Sequence, residues 1–131
     1  MLAALKKAKI EPGQIDYINA HGTSTPVGDI KEIVACRNIC GEGNTPPVGS
    51  TKSMTGHSLG ATGVQEAIYS MIMMNKGFIA PSINVNDLDE NLAPAEINTE
   101  LKENAEIDSI LSNSFGFGGT NGTVIISKHR D

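Results

Sequence analysis

The stretch "IDYINAHGTSTPVGDIKEIVACRNIC", residues 15–40, decides how the rest of the chain is read. "IDYINA" has the β-branched and aromatic content of a strand, and it runs up to His21. "HGTSTPVG" is a loop of turn-forming residues. Asp29 then opens a helix that extends to about Cys40, with Ile30, Ile33, Val34 and Ala35 at helical spacing. Gly41 and Gly43 stop it. Strand, loop and helix in direct succession are a unit of an α/β sheet, and such sheets present ligands at the C-terminal ends of their strands. His21 stands at that end. A structural histidine at a strand end fits the position equally well.

Working outward, "MLAALKKAKIEPGQ" predicts a helix over 2–10 with a basic face, then a turn at Pro12-Gly13. Pro46-Pro47 lead into "VGSTK", a short buried strand. A glycine-rich loop and a long helix over about 58–75 follow. The apolar stripe of that helix, Val64, Ala67, Ile68, Met71, Ile72 and Met74, is expected to face the core. Residues 77–98 read as extended and loop-like. "AEIDSILSNS" and "GTVIISK" read as strands joined by the tight loop "FGFGGTN", and so short a connection predicts an antiparallel hairpin. The expected fold class is α/β, a mixed sheet layered with helices. One domain over 1–131 is expected, with no tandem repeat and no low-complexity linker.

The chain has 131 residues, 39% hydrophobic and 19% charged, which is the balance of a soluble globular protein. A net charge of -5 argues against nucleic acid as a partner. No apolar run reaches the roughly 18 residues of a membrane span, and the start lacks the pattern of a signal peptide, so a cytoplasmic location is expected. Cys36 and Cys40 share a helix face. Burial explains them better than a disulfide or half of a zinc site, because no further ligands stand at suitable spacing.

Several residues can carry chemistry. Thr23, Ser24 and Thr25 offer hydroxyls to a polar ligand, or serve as turn and cap residues for the next helix. His57, in "TGHSLGATG", falls at the expected start of the long helix. An imidazole there stays neutral and can donate one N–H to a developing oxyanion. Lys52 requires a carboxylate if it is partly buried, and Glu32 and Glu66 are the candidates. "FGFGGTN" is a hairpin turn with two core phenylalanines, or a phosphate cradle. The cradle reading is weak, since no helix pattern or Walker-type Gly-Lys-Ser/Thr follows.

Together "NAHGTSTPVGD", "STKSMTGHSLGATGVQEAI" and "SNSFGFGGTN" resemble the C-terminal part of the β-ketoacyl-acyl-carrier-protein synthases. The likeness is to the elongating enzymes, and to type I more than type II. It extends from about Ile15 to Lys128. It implies a thiolase-like fold of which this chain is the second half. It implies decarboxylative Claisen condensation of malonyl-carrier protein with an acyl thioester. His21 and His57 match the two catalytic histidines that hold the thioester carbonyl, and Lys52 matches the lysine that supports them. Thr23 and Thr25 match residues that bind the phosphopantetheine arm. Phe117 matches the gate of the pocket, whose backbone N–H forms half of an oxyanion hole. Asn19, Glu66, Ser112 and Asn113 match positions that in some relatives surround a buried monovalent cation or water.

The implied partners are acyl carrier protein, the missing N-terminal half and, in the full-length enzyme, a second subunit. No cofactor is implied beyond the phosphopantetheine that carries the substrates. The family's nucleophile is a cysteine at the start of a buried helix in the absent half. Cys36 lies mid-helix and does not replace it. By itself the chain is therefore expected to be inactive in condensation. The alternative is a non-catalytic module that needs a partner to supply the thiol. A thiolase relative would carry a second cysteine in its last glycine-rich motif, and "FGFGGTN" has none.

Overall fold

The computed structural model describes residues 1–129. The strand expected at 15–20 is β1, Tyr17–Asn19. It lies between two parallel neighbours, β2 (Val48–Gly49) and β5 (Ser109–Phe115). The hairpin around "FGFGGTN" is present: β5 pairs antiparallel with β6 (Asn121–Ser127), in register from Ser109↔Ser127 to Phe115↔Asn121. The sheet order is β2-β1-β5-β6. A parallel bridge between Val48 and Ile97 extends it beyond β2. The Asp16 carboxylate fixes the central register by accepting the N–H groups of Asp108 (2.7 Å) and Ser109 (2.9 Å). β3 (Phe78–Ile79) and β4 (Lys102–Glu103) form a separate small antiparallel pair.

Successive residues of a strand face opposite sides, so the sheet has two cores. Ile18 and Leu111 pack with Leu5, Ile33 and Cys36, beneath α1 (Leu2–Ala8) and α2 (Gly28–Cys40). Tyr17 and Ile110 pack with Met73, Met74, Ile79 and Ile107, beneath α4 (Thr62–Lys76).

Three elements differ from the sequence reading. α1 ends at Ala8 rather than residue 10, because Lys9 takes a left-handed conformation at its C-cap. Lys52 does not end a strand; it opens α3, Lys52–Thr55, a single turn. The long helix begins at Thr62, not at 58. Leu59, at a φ of 53°, and a 3-10 turn over Leu59–Ala61 keep His57 outside it.

The face that α4 buries is the larger correction. Val64, Ile68, Met71 and Ile72 are 65, 45, 43 and 46% exposed, whereas Thr62, Glu66, Ser70 and Met73 are buried. Of the expected stripe, only Met74 is fully buried. Two contacts turn the helix this way. Glu66 pairs with buried Lys52, which offsets part of the penalty of placing a carboxylate in the interior. Gly63 lets the helix approach β5, since a Cβ there would stand 3.2 Å from Ser114 Oγ.

Candidate active site

The site is built on the C-terminal end of β1, the tip of β5 and the segment before α4. The His21 turn is held by Glu32 of α2. Its carboxylate accepts the N–H of His21 (Oε1, 2.9 Å), the N–H of Gly22 (Oε2, 3.0 Å) and Nδ2 of Asn113 (Oε1, 3.0 Å). Burial raises the Glu32 carboxyl above its ordinary value, and these donors oppose that rise. Of the two carboxylates considered for Lys52, Glu66 is therefore the partner and Glu32 has a separate task. Asp29 organises the rest of the loop by accepting the N–H groups of Ser24 (3.1 Å) and Thr25 (3.3 Å) at Oδ1.

The two histidines come together. Their ring centroids are 5.4 Å apart and the ring planes are nearly perpendicular, at 86°. Phe115 also packs edge-on against His21, with ring centroids 5.8 Å apart. His57 is exposed, and its Nδ1 accepts the N–H of Leu59 at 2.9 Å and lies 3.0 Å from Thr62 Oγ1. An Nδ1 that accepts a backbone N–H leaves the ring proton on Nε2. His21 is held below its ordinary value, first by burial and then by the positive charge of Lys52; Asp29 opposes the shift. Lys52 and Glu66 form a buried ion pair one layer beneath. Burial raises the Glu66 carboxyl, and the bond to Lys52 offsets this.

Thr23, Thr25, Lys52 and His57 line one cavity of about 680 Å³. Thr25 serves the turn that leads into α2: its Oγ1 accepts the N–H of Gly28 at 3.1 Å. Phe117 does not join the core as a hairpin phenylalanine. It is fully exposed, on a turn where Gly118 and Gly119 take positive φ. Phe115 is the phenylalanine against His21, a role that the sequence does not single out.

Asn19 is fully buried, and neither side-chain atom has a hydrogen-bond partner among the described residues; the same holds for Glu66 Oε2. Asn113 differs, since its Oδ1 accepts Thr123 Oγ1 (3.0 Å) and its Nδ2 donates to Glu32. Cys36 is buried among apolar side chains, and burial pushes its thiol up to about 12. Nothing there activates a thiolate.

A family model for the β-ketoacyl synthase C-terminal domain matches residues 1–86. The chain is 57% identical over 117 residues to 3-oxoacyl-[acyl-carrier-protein] synthase 1 of Escherichia coli K12, covering 89% of this chain and 28% of that protein. It is 44% identical over 129 residues to 3-oxoacyl-[acyl-carrier-protein] synthase 2 of Coxiella burnetii, covering 98% of this chain and 31% of that protein. Among solved structures, a ketosynthase in complex with its type II polyketide acyl-carrier protein superposes with a TM-score of 0.88 at 32% identity, covering 98% of this chain and 31% of that one. The chain thus spans less than a third of the length of these relatives. By sequence and by its thiolase-like fold, the chain belongs to the β-ketoacyl synthases and corresponds to their C-terminal part.

Proposed function

We propose that residues 1–131 act as one unit, the C-terminal catalytic portion of a 3-oxoacyl-acyl-carrier-protein synthase of fatty-acid elongation. The unit decarboxylates malonyl-carrier protein, and the remainder of the enzyme supplies the acylated cysteine that the resulting enolate attacks. The observation that carries this reading is the pair of histidines at 5.4 Å beside a buried lysine–carboxylate pair. As carbon dioxide leaves, negative charge grows on the thioester oxygen. Two fixed neutral N–H donors stabilise that oxygen by about 3 kcal/mol each, by analogy with oxyanion holes. The proton on Nε2 of His57 suits one donor. Burial, aided by the charge of Lys52, disfavours the charged form of His21, and Glu66 compensates the lysine charge. Thr23 and Thr25 bind the phosphopantetheine arm; the turn bond uses Thr25 Oγ1 as an acceptor and leaves its proton free to donate. Phe117, without packing, gates the pocket and offers its backbone N–H to an oxyanion.

Asn19 and Glu66 suit a buried monovalent cation or water, because each holds a side-chain oxygen without a protein partner. Such an ion would balance the charge of Glu32, since Glu66 already pairs with Lys52. Ser112 lies alongside, while the Asn113 side chain is already bonded. No other cofactor is proposed. Acyl carrier protein, the N-terminal remainder and a second subunit are the proposed partners, and the cytoplasm the compartment. Among the described residues no helix is long and apolar enough to cross a membrane.

The test combines this chain with a separately produced N-terminal portion of the enzyme, acyl donor and malonyl-carrier protein. Formation of 3-oxoacyl-carrier protein, abolished by His21→Ala or His57→Ala, supports the proposal. A stable complex that neither condenses nor decarboxylates overturns it. A second reading, a binding module without chemistry, is favoured by the state of the cysteines: Cys36 is inert and Cys40 also has its thiol raised by burial. Carrier binding without decarboxylation in the combined sample selects that reading.

A further inference from the structure

The His21 turn is gripped from two sides, and Glu32 accounts for only one. Glu32 takes the N–H groups of His21 and Gly22. The Gly22 carbonyl accepts the hydroxyl of Ser50 at 2.9 Å. The approach is close: a Cβ on Gly22 would stand 2.7 Å from Ser50 Cβ, and Gly22 has a φ of +38°, which strains any side chain. Ser50 is itself oriented, because its N–H donates to Oγ of buried Ser82 at 2.9 Å. The segment after Ser82 is stitched to α3. Ile83 N–H donates to Ser53 Oγ (3.0 Å), and Asn84 Nδ2 donates to the Ser53 carbonyl (3.3 Å). A hydroxyl bridge therefore runs from the 82–84 segment through Ser50 to the residue that follows His21.

The geometry points to Ser50 as a positioning residue for His21, with Ser82 as its support. Glycine has the freest φ and ψ of any residue, so its conformation is fixed when the peptide before it and the peptide after it are both held. Glu32 holds the first, and Ser50 holds the second. Loss of the Ser50 hydroxyl frees the peptide between Gly22 and Thr23, so the turn relaxes about Gly22 and the His21 ring moves relative to His57. The catalytic meaning of this placement rests on the function proposed above. The bridge itself is measurable without any turnover.

The test uses the full chain with Ser50→Ala, Ser50→Thr and Ser82→Ala. Two readouts report position: the nuclear Overhauser contact between the His21 and His57 rings, and hydrogen exchange of the His21 and Gly22 amides. Ser50→Ala is expected to weaken the ring contact by about half and to speed the exchange about tenfold, the effect of losing one hydrogen bond from a local structure. Ser50→Thr restores both, and Ser82→Ala falls between. If Ser50→Ala does not fold, Ser82→Ala and Gly22→Ala, which pushes Ser50 away, carry the same expectation. A lower melting temperature with ring contact and exchange at wild-type values assigns Ser50 to packing alone and overturns the inference. Condensation in the combined sample is read separately. Its absence, with the ring contact changed as expected, removes the proposed function and leaves the bridge standing.

Discussion

The two histidines end up 5.4 Å apart by different means. The His21 turn is anchored by residues distant in sequence: Glu32 from α2, Ser50 after β2 and Phe115 at the tip of β5. His57 is exposed, and among the described residues the hydrogen bonds to its ring come from its own neighbours, Leu59 and Thr62. One side of the site is completed by this chain, and the other stands on its surface. Phe117 and the apolar face of α4 share that unfinished character. Under the proposed function, the remainder of the enzyme would cover all three, and His57 would then sit in the dry setting that such chemistry requires.

If the His21 side is held by buried charge, removing that charge has the largest effect. Lys52→Met leaves Glu66 buried without its partner and is expected to cost about 3–5 kcal/mol in urea unfolding. Adding Glu66→Gln recovers most of that loss; no recovery would mean that the lysine acts by packing. Glu32→Ala comes next, at about 2–3 kcal/mol, because it strands three donors at once. It should shift His21 and Gly22 resonances and leave those of Leu59 and Thr62 in place. Equal shifts on both sides would erase the contrast between the histidines.

A smaller effect concerns the loop that walls the cavity. Arg37 of α2 grips Glu96 through Nε (2.7 Å) and Nη2 (2.6 Å), and Nη2 also reaches the Asn91 carbonyl (2.8 Å). The Arg37 hydrogen bonds hold the Glu96 carboxyl below its ordinary 4.5, with burial opposing. The unfolded chain therefore takes up this proton first as the pH falls. The stability contribution is complete above about 4.5 and is lost as pH drops through the lower folded value. Glu96→Gln should flatten the fall of the urea midpoint between about pH 5 and pH 3. An unchanged slope would place the acid sensitivity elsewhere.

The hairpin, the strand before His21 and the α2 helix were legible because local pattern decides them. Two strand-like runs joined by a tight loop specify β5–β6, and a helical stripe ended by glycine specifies α2. The orientation of α4 was not legible. Periodicity shows which face is apolar, but not which surface covers it, and here the buried lysine claims the polar face. The identity of the Lys52 partner stayed open between Glu32 and Glu66 for the same reason: spacing brings both near the sheet, and only the fold separates them. Ser50, in a run rich in Ser and Thr, carries no pattern at all. The exposed apolar face of α4 is open to a direct test. Ile68→Ser with Ile72→Ser should leave the unfolding midpoint nearly unchanged and reduce self-association in sedimentation. A wild-type chain that sediments as a clean monomer would show that the face is not adhesive.

His57→Ala should have the smallest effect on stability, within about 0.5 kcal/mol, because an exposed ring held by one backbone N–H and one hydroxyl contributes little burial. Its consequence lies next door. Among the described residues His21 then keeps Phe115, at 5.8 Å, as a ring neighbour, so its ring protons should shift while the unfolding midpoint stays put. A large loss of stability would mean that the His57 segment is as firmly built as the His21 turn. The same substitution in the combined enzyme should abolish decarboxylation, so a residue nearly neutral for folding would be decisive for chemistry. That separation is what a histidine presented on a surface predicts, and a histidine built into a core does not.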